Sequence, residues 1–211
     1  MQSDDETLAE DPNSALVAAG FGRGEDPEAL LRGHLSSADA RVRVVALRGA
    51  ARQGFLIDDE WLALLDDSNV AIRRDVVRLL AYREDCSDDH LERLVLALGD
   101  EDALVSERAA FALGEHRFKP ALDALAAMAR EHADARCRES AVAALGALGE
   151  ESGLSTIIAA LDDKAPIRRR AIVALSNFEG PEVDEALARA GDDRDWQVRA
   201  AVTQLGRHEN D

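Results

Sequence analysis

Apolar residues recur along most of this chain at steps of three and four, the period of a helix with one buried face, and short acid-rich turns interrupt them at regular intervals. The pattern predicts helices in pairs. First helices are expected over 27–35, 59–65, 88–98, 120–131, 152–161 and 181–190, each with a leucine-rich face such as Leu91, Leu94, Val95 and Leu98. Pro27, Pro120 and Pro181 stand at first helical positions, where proline is tolerated, and Asp26 and Ser87 are ready N-caps. Second helices are expected over 41–53, 70–83, 104–117, 135–147, 166–177 and 196–207.

The second helices share a signature seen most cleanly in CRESAVAALG, Cys137 to Gly146. An apolar anchor is followed by arginine, then by small or apolar residues at the fourth, seventh and eighth places. The anchors Val42, Ile72, Val105, Cys137, Ile167 and Val198 are separated by 30, 33, 32, 30 and 31 residues. The fourth places hold Ala46, Val76, Ala109, Ala141, Ala171 and Val202, which let neighbouring helices approach closely. A unit that recurs six times is a repeat array rather than a local motif. The end copies depart, with Gly49 and Ala50 in the first and Leu205 displaced beside Thr203 and Gln204 in the last, as expected where one side of a stack faces water.

The stretches DSNVAIRRDVVRLL, EDALVSERAAFALG, ADARCRESAVAALG, KAPIRRRAIVAL and DWQVRAAVTQLG resemble HEAT repeats, in the short form named after phycobilisome lyases. The resemblance runs from Asp26 to about His208 and implies an all-α fold, an α-solenoid or superhelix of about six helical hairpins with second helices on the concave side. It also implies that the acidic turns (Asp66 and Asp67, Asp100 to Asp102, Asp162 and Asp163, Asp192 and Asp193) hold the aspartate this family places before Val-Arg. An aspartate there caps the second helix and pairs with a signature arginine, so Arg43, Arg73, Arg138, Arg168 and Arg199 read as a structural ladder. The domain reading is a disordered acidic tail over 1–13, a short capping helix and glycine-rich connection over 14–25, and the solenoid over 26–211.

Composition adds to this picture. Aromatics make up 4% of the chain against 46% hydrophobic residues, so the core is built from Ala, Leu and Val. Forty-two acids against 25 bases give a net charge of −17, and only Lys119 and Lys164 are lysines, a surface suited to staying hydrated and monomeric in concentrated salt. The two cysteines, Cys86 and Cys137, lie 51 residues apart without metal-ligand spacing, and Cys137 is expected as a core anchor. No apolar run is long enough for a membrane helix, and the acidic N-terminus is unlike a signal peptide, so a cytoplasmic location is expected.

Catalytic constellations are missing from the pattern. There is no phosphate-binding GKS or GKT loop, GxSxG elbow, HExxH pair or calcium loop. The cluster Gly20, Gly22, Gly24 lacks the preceding strand a dinucleotide loop requires and reads as a flexible connection. Repeats of this kind also build a di-iron hydroxylase acting on a modified lysine, which needs several His-Glu pairs, and the one such pair here is His208 with Glu209. His34, His90, His116, His132 and His208 read as surface or helix-end residues, and Trp196, beside Asp195, as a packing residue rather than a glycosylase-type base reader. No cofactor or metal is expected.

The charge is partitioned between layers. The second-helix spans hold 17 arginines, no lysine and only Asp75, Glu107, Glu115 and Glu139 as acids, which makes that layer +13 and the remainder −30. Beyond the ladder and the helix ends, Arg48, Arg74, Arg78, Arg108, Arg169 and Arg170 face away from the apolar stripe, with Phe111 and Val173 among them. Glu139, Ser140 and Ala143 make the fourth unit a neutral middle between basic stretches. The strip is expected to bind an acidic or amphipathic segment of another protein, arginine being suited to bidentate contacts with carboxylates. The competing account is a self-neutralising solvated face. The leading function is therefore a non-enzymatic protein-interaction scaffold. Nucleic-acid binding or DNA repair through the strip is disfavoured by the overall acidity, and a lyase-like subunit has no supporting constellation.

Overall fold

The computed structural model describes residues 12–208. Residues 1–11 of the acidic tail read over 1–13, and Glu209 of the His-Glu pair, lie outside the described residues. Among the described residues there are thirteen α-helices, two short 3-10 turns and no strand. The chain divides into two compact units, Met1–Val76 and Val77–Asp211.

The first unit contains α1 (Pro12–Ala19), α2 (Pro27–His34), α3 (Ala40–Gln53), α4 (Asp58–Leu65) and the start of α5 (Val70–Leu80). Asp26 caps α2 by accepting the Ala29 amide at 3.0 Å. Helix α1 packs on α2 and α3, and its end explains part of the glycine cluster. A Cβ on Gly20 would stand 3.0 Å from the Cα of Gly49, so this is a close helix approach rather than a free connection.

The second unit contains α6 (Asp88–Ala97), α7 (Ala103–Glu115), α8 (Leu122–Glu131), α9 (Ala135–Leu148), α10 (Glu151–Ala159), α11 (Ala165–Leu175), α12 (Pro181–Gly191) and α13 (Trp196–His208). Second helices α7, α9, α11 and α13 pack successively in one layer, with first helices such as α8 and α10 packed behind them. The anchors Ile72, Val105, Cys137, Ile167 and Val198 are buried, as are Leu80, Leu113, Leu145 and Leu175. Full burial of one such side chain stabilises by about 1.5–3 kcal/mol. Val42, in the first copy, is only half-buried. Cys137 is wholly inside; its thiol donates to the Ala103 carbonyl at 3.1 Å, and burial pushes its pKa up to about 11.

The glycine that closes the signature is a packing device. A Cβ on Gly114 would lie 2.9 Å from the Ala144 Cα, and one on Gly146 would lie 2.6 Å from the Ala174 Cβ and 2.8 Å from its Cα, so α7 meets α9, and α9 meets α11, at close backbone approach. Three residues further on, Gly54 and Gly149 end α3 and α9 with φ of 74° and 64°, and α7 makes the same left-handed turn with Arg117 at φ 49°.

The arginine ladder exists, with its two tasks divided between different turn residues. Arg43 grips Asp67 of the next turn at 3.0 and 2.9 Å, Arg138 grips Asp163 at 2.7 and 2.8 Å, and Arg168 grips Asp193 at 2.8 and 2.7 Å. Each of the three also donates to a carbonyl of its own turn, Ser37, His132 or Asp163. These bonds hold the Asp163 and Asp193 carboxyls below the usual carboxylate range. Helix capping falls to other residues: Asp39 accepts from the Arg41 amide at 2.8 Å, Asp134 from Arg136 at 2.9 Å and Asp195 from Gln197 at 2.8 Å. Asp134 is pulled down to about 2, chiefly by its hydrogen bond from the Arg136 side chain.

One rung is replaced on both sides. The ladder position of α7 is Ser106, which is buried and donates to its own turn at the Asp100 carbonyl. The matching turn position before α9 is His132, whose Nδ1 accepts the Asp134 amide at 3.1 Å, as Asp193 Oδ1 accepts the Asp195 amide at 2.7 Å. A buried arginine or aspartate without its partner is strongly destabilising, and here neither is present. The α7–α9 contact relies instead on the Gly114 approach, the Cys137 thiol and Ser140 Oγ, which donates to the Glu107 carbonyl at 2.8 Å.

Candidate functional site

On a second helix the positions one before and three, six and ten after the anchor form one outward stripe. In α7 these are Leu104, Arg108, Phe111 and Glu115, and in α9 they are Arg136, Ser140, Ala143 and Ala147. The small side chains of α9 leave a hollow of about 410 Å³ beside the larger ones of α7, with Arg170 of α11 at one end. Phe111 and Ala143 stand side by side in this lining because the repeat puts both six places after their anchors.

The hollow is polarised along the helix axis. Arg108, Arg136 and Arg170, with Glu107 and Glu139, surround the end nearest the N-terminus of α9. Seven residues along, about 10 Å at helical rise, Glu115 is the charged group at the other end. Gly114, Ala144 and Ala147 add small, uncharged surface to the lining. Phe111, 40% exposed, also meets Tyr82 at 6.0 Å between ring centroids with planes tilted by 56°.

Of the eight strip residues expected from sequence, the structure brings Arg108, Phe111 and Arg170 into this hollow. Val173 is 52% exposed on α11 but outside its lining. Arg170 lies 3.5 Å from Glu139, a loose pair, while Arg169 bonds to Gln197 of α13. In the first unit Arg48 is tied to the buried Asp75 at 2.6 Å, and Arg74 is half-buried. Arg78, on the second unit's part of α5, is also half-buried. Parts of the strip therefore do neutralise themselves across adjacent helices.

Counting charge by layer tallied Glu115 and Arg136 without assigning them to a site, and gave no weight to Ala147 or Tyr82. The available signal was register: aligning the copies on their anchors places Arg108, Ser140 and Arg170 in one row and Phe111, Ala143 and Val173 in the next.

Two residues depart from expectation. Trp196 is 67% exposed at the start of α13, because α13 buries the side behind Val198 and the first helical residue points away from it. His90 is fully buried three residues after the Ser87 cap, and its Nδ1 accepts the Ser87 amide at 3.2 Å, the place glutamate takes in a capping box. Among the described residues no group of three or more His, Cys, Asp or Glu side chains is arranged to hold a metal ion, and no helix is long and apolar enough to cross a membrane.

Comparison with known proteins agrees with the repeat geometry. A family model for HEAT repeats matches residues 59–146 and 122–206. A curated relative, deoxyhypusine hydroxylase-B of Oryza sativa subsp. japonica, is 30% identical over 133 residues, covering 61% of this chain and 43% of that protein. The chain thus spans less than half the length of that relative. An engineered protein of known structure superposes with a TM-score of 0.64 at 18% identity, over 86% of this chain and 97% of its own. The complex of CpcE and CpcF of phycocyanin lyase from Nostoc sp. PCC7120 gives 0.61 at 21% identity, over 85% and 76%. Computationally designed armadillo repeat proteins for modular peptide recognition give 0.54 at 16% identity, over 93% and 99%. At these identities the structures share the fold alone. The recurring anchors, the ladder and the family match together place this chain in the HEAT repeat family.

Proposed function

We propose that this protein is a non-enzymatic interaction scaffold that binds a segment of another protein on its second-helix face, centred on the hollow between α7 and α9. The observation that carries the reading is the convergence of Arg108, Phe111 and Arg170 around the small residues of α9. Arginine and aromatic side chains around a depression are among the groups that dominate protein interfaces. A repeat array offers extended surface and few convergent catalytic groups, which favours binding over chemistry. The solved relatives include proteins designed for modular peptide recognition, a further support for a peptide-like partner. The acid excess, −17 overall, favours a monomeric protein of a salt-rich cytoplasm.

The test is capture from lysate in high salt, with and without nuclease, by the wild-type protein and by Ala143→Phe, which fills the hollow. A protein partner that survives nuclease and is lost with Ala143→Phe is the expected result. Nuclease-sensitive capture, or capture indifferent to the filled hollow, refutes it.

A further inference from the structure

Resting on the scaffold reading, we infer that the hollow takes a single α-helix of a partner protein presenting base, bulky apolar side chain and acid in one line, at spacing i, i+4, i+7. The charges set this chemistry. The lining as a whole is balanced, with Arg108, Arg136 and Arg170 against Glu107, Glu115 and Glu139, so a purely acidic or purely basic ligand meets a like charge within it. The balance is uneven in position: the arginine-rich end lies about 10 Å, two helical turns, from Glu115.

Between the ends the apolar seat is formed by Phe111 and Ala143. An occupant helix with one large apolar residue there carries its flanking positions to the two charged ends at i and i+7. Its carboxylate meets Arg108 and Arg170, the latter only loosely held by Glu139 at 3.5 Å, and its base meets Glu115. Seating the apolar side chain excludes water from both pairs, which strengthens them.

The probes are three fluorescent stapled helices of about 15 residues, stapled because so short a helix is marginal in water. They carry Lys-Leu-Glu, Glu-Leu-Glu or Lys-Ala-Glu at the three contact positions and are titrated by anisotropy at low and molar salt. Lys-Leu-Glu is expected to bind wild type tightest, with the alanine probe roughly tenfold weaker. Glu115→Arg, at an exposed site that leaves folding undisturbed, is expected to reverse the preference so that Glu-Leu-Glu binds best. Ala143→Phe, with folding verified by circular dichroism, abolishes binding of all three.

Failure of Lys-Leu-Glu to bind, equal binding of all probes, or no reversal with Glu115→Arg overturns the inference. Partner capture that still depends on Ala143 would then leave the scaffold reading standing and remove only this helix chemistry. Loss of both removes both.

Discussion

Gly146→Ala isolates the contact that sets the spacing between second helices. In an open helical position the exchange stabilises by about 1 kcal/mol, because alanine has less conformational freedom to lose. At Gly146 the new Cβ falls 2.6 Å from the Ala174 Cβ and 2.8 Å from its Cα. Neither neighbour can rotate away, so α11 itself must retreat from α9. Overpacking costs about 1–3 kcal/mol, and with backbone as the obstacle the upper value applies. Setting about 3 against about 1 predicts a net loss of about 2 kcal/mol. For a chain of this size that is a fall of about 4–8 °C in Tm. Gly33→Ala is the matched control, since nothing lies within 4 Å of its Cβ position, and it should gain about 0.5–1 kcal/mol. Urea unfolding followed by circular dichroism measures both. A Gly146→Ala protein as stable as Gly33→Ala would show that close backbone approach is not what holds α9 to α11.

Arg168→Ala leaves the largely covered Asp193 carboxylate without its bidentate partner and should cost about 3 kcal/mol, with Arg168→Ala/Asp193→Ala less damaging than the single change in the same urea assay. Because Asp163 and Asp193 have depressed carboxyl pKa values when folded, their contribution is complete above the ordinary carboxylate value, near pH 4, and is lost as pH falls through the folded values. Acid titration of stability should therefore steepen below about pH 4 and flatten in Arg168→Gln. Ser106→Arg alone should destabilise and Ser106→Arg/His132→Asp should be more stable than that single variant by about 1 kcal/mol or more, restoring the absent rung; no coupling would refute the paired replacement. Arg117→Gly should raise stability by about 0.5–1 kcal/mol by relieving the left-handed turn at φ 49°. At pH 8, iodoacetamide labelling read by mass spectrometry should modify half-buried Cys86 at least roughly tenfold faster than Cys137, whose thiol is buried and has a pKa of about 11.

Hydrophobic period and repeat spacing alone determined the helices, their order and the anchors. Those features depend on local geometry: a stripe at three and four places marks a buried face, and its recurrence every 30 to 33 residues marks a repeated unit. The division of labour in the turns was half legible. Asp67 and Asp193, five places before their anchors, take an arginine from the preceding repeat, whereas Asp39, Asp134 and Asp195, three places before theirs, cap their own helices; register separates the two sets, and folding shows which set points across the stack.

The site depended still more on tertiary structure. Arg48 and Arg170 read identically as free cations in sequence, and stacking placed Asp75 against the first and Glu139 beside the second, each about one repeat away. Charge totals carry sign but no distance, and electrostatic complementarity depends on distance. The small residues of α9 likewise mean little until α7 stands beside them: Ala143 and Ala147 become a hollow only because Phe111 and Arg108 rise on the neighbouring helix.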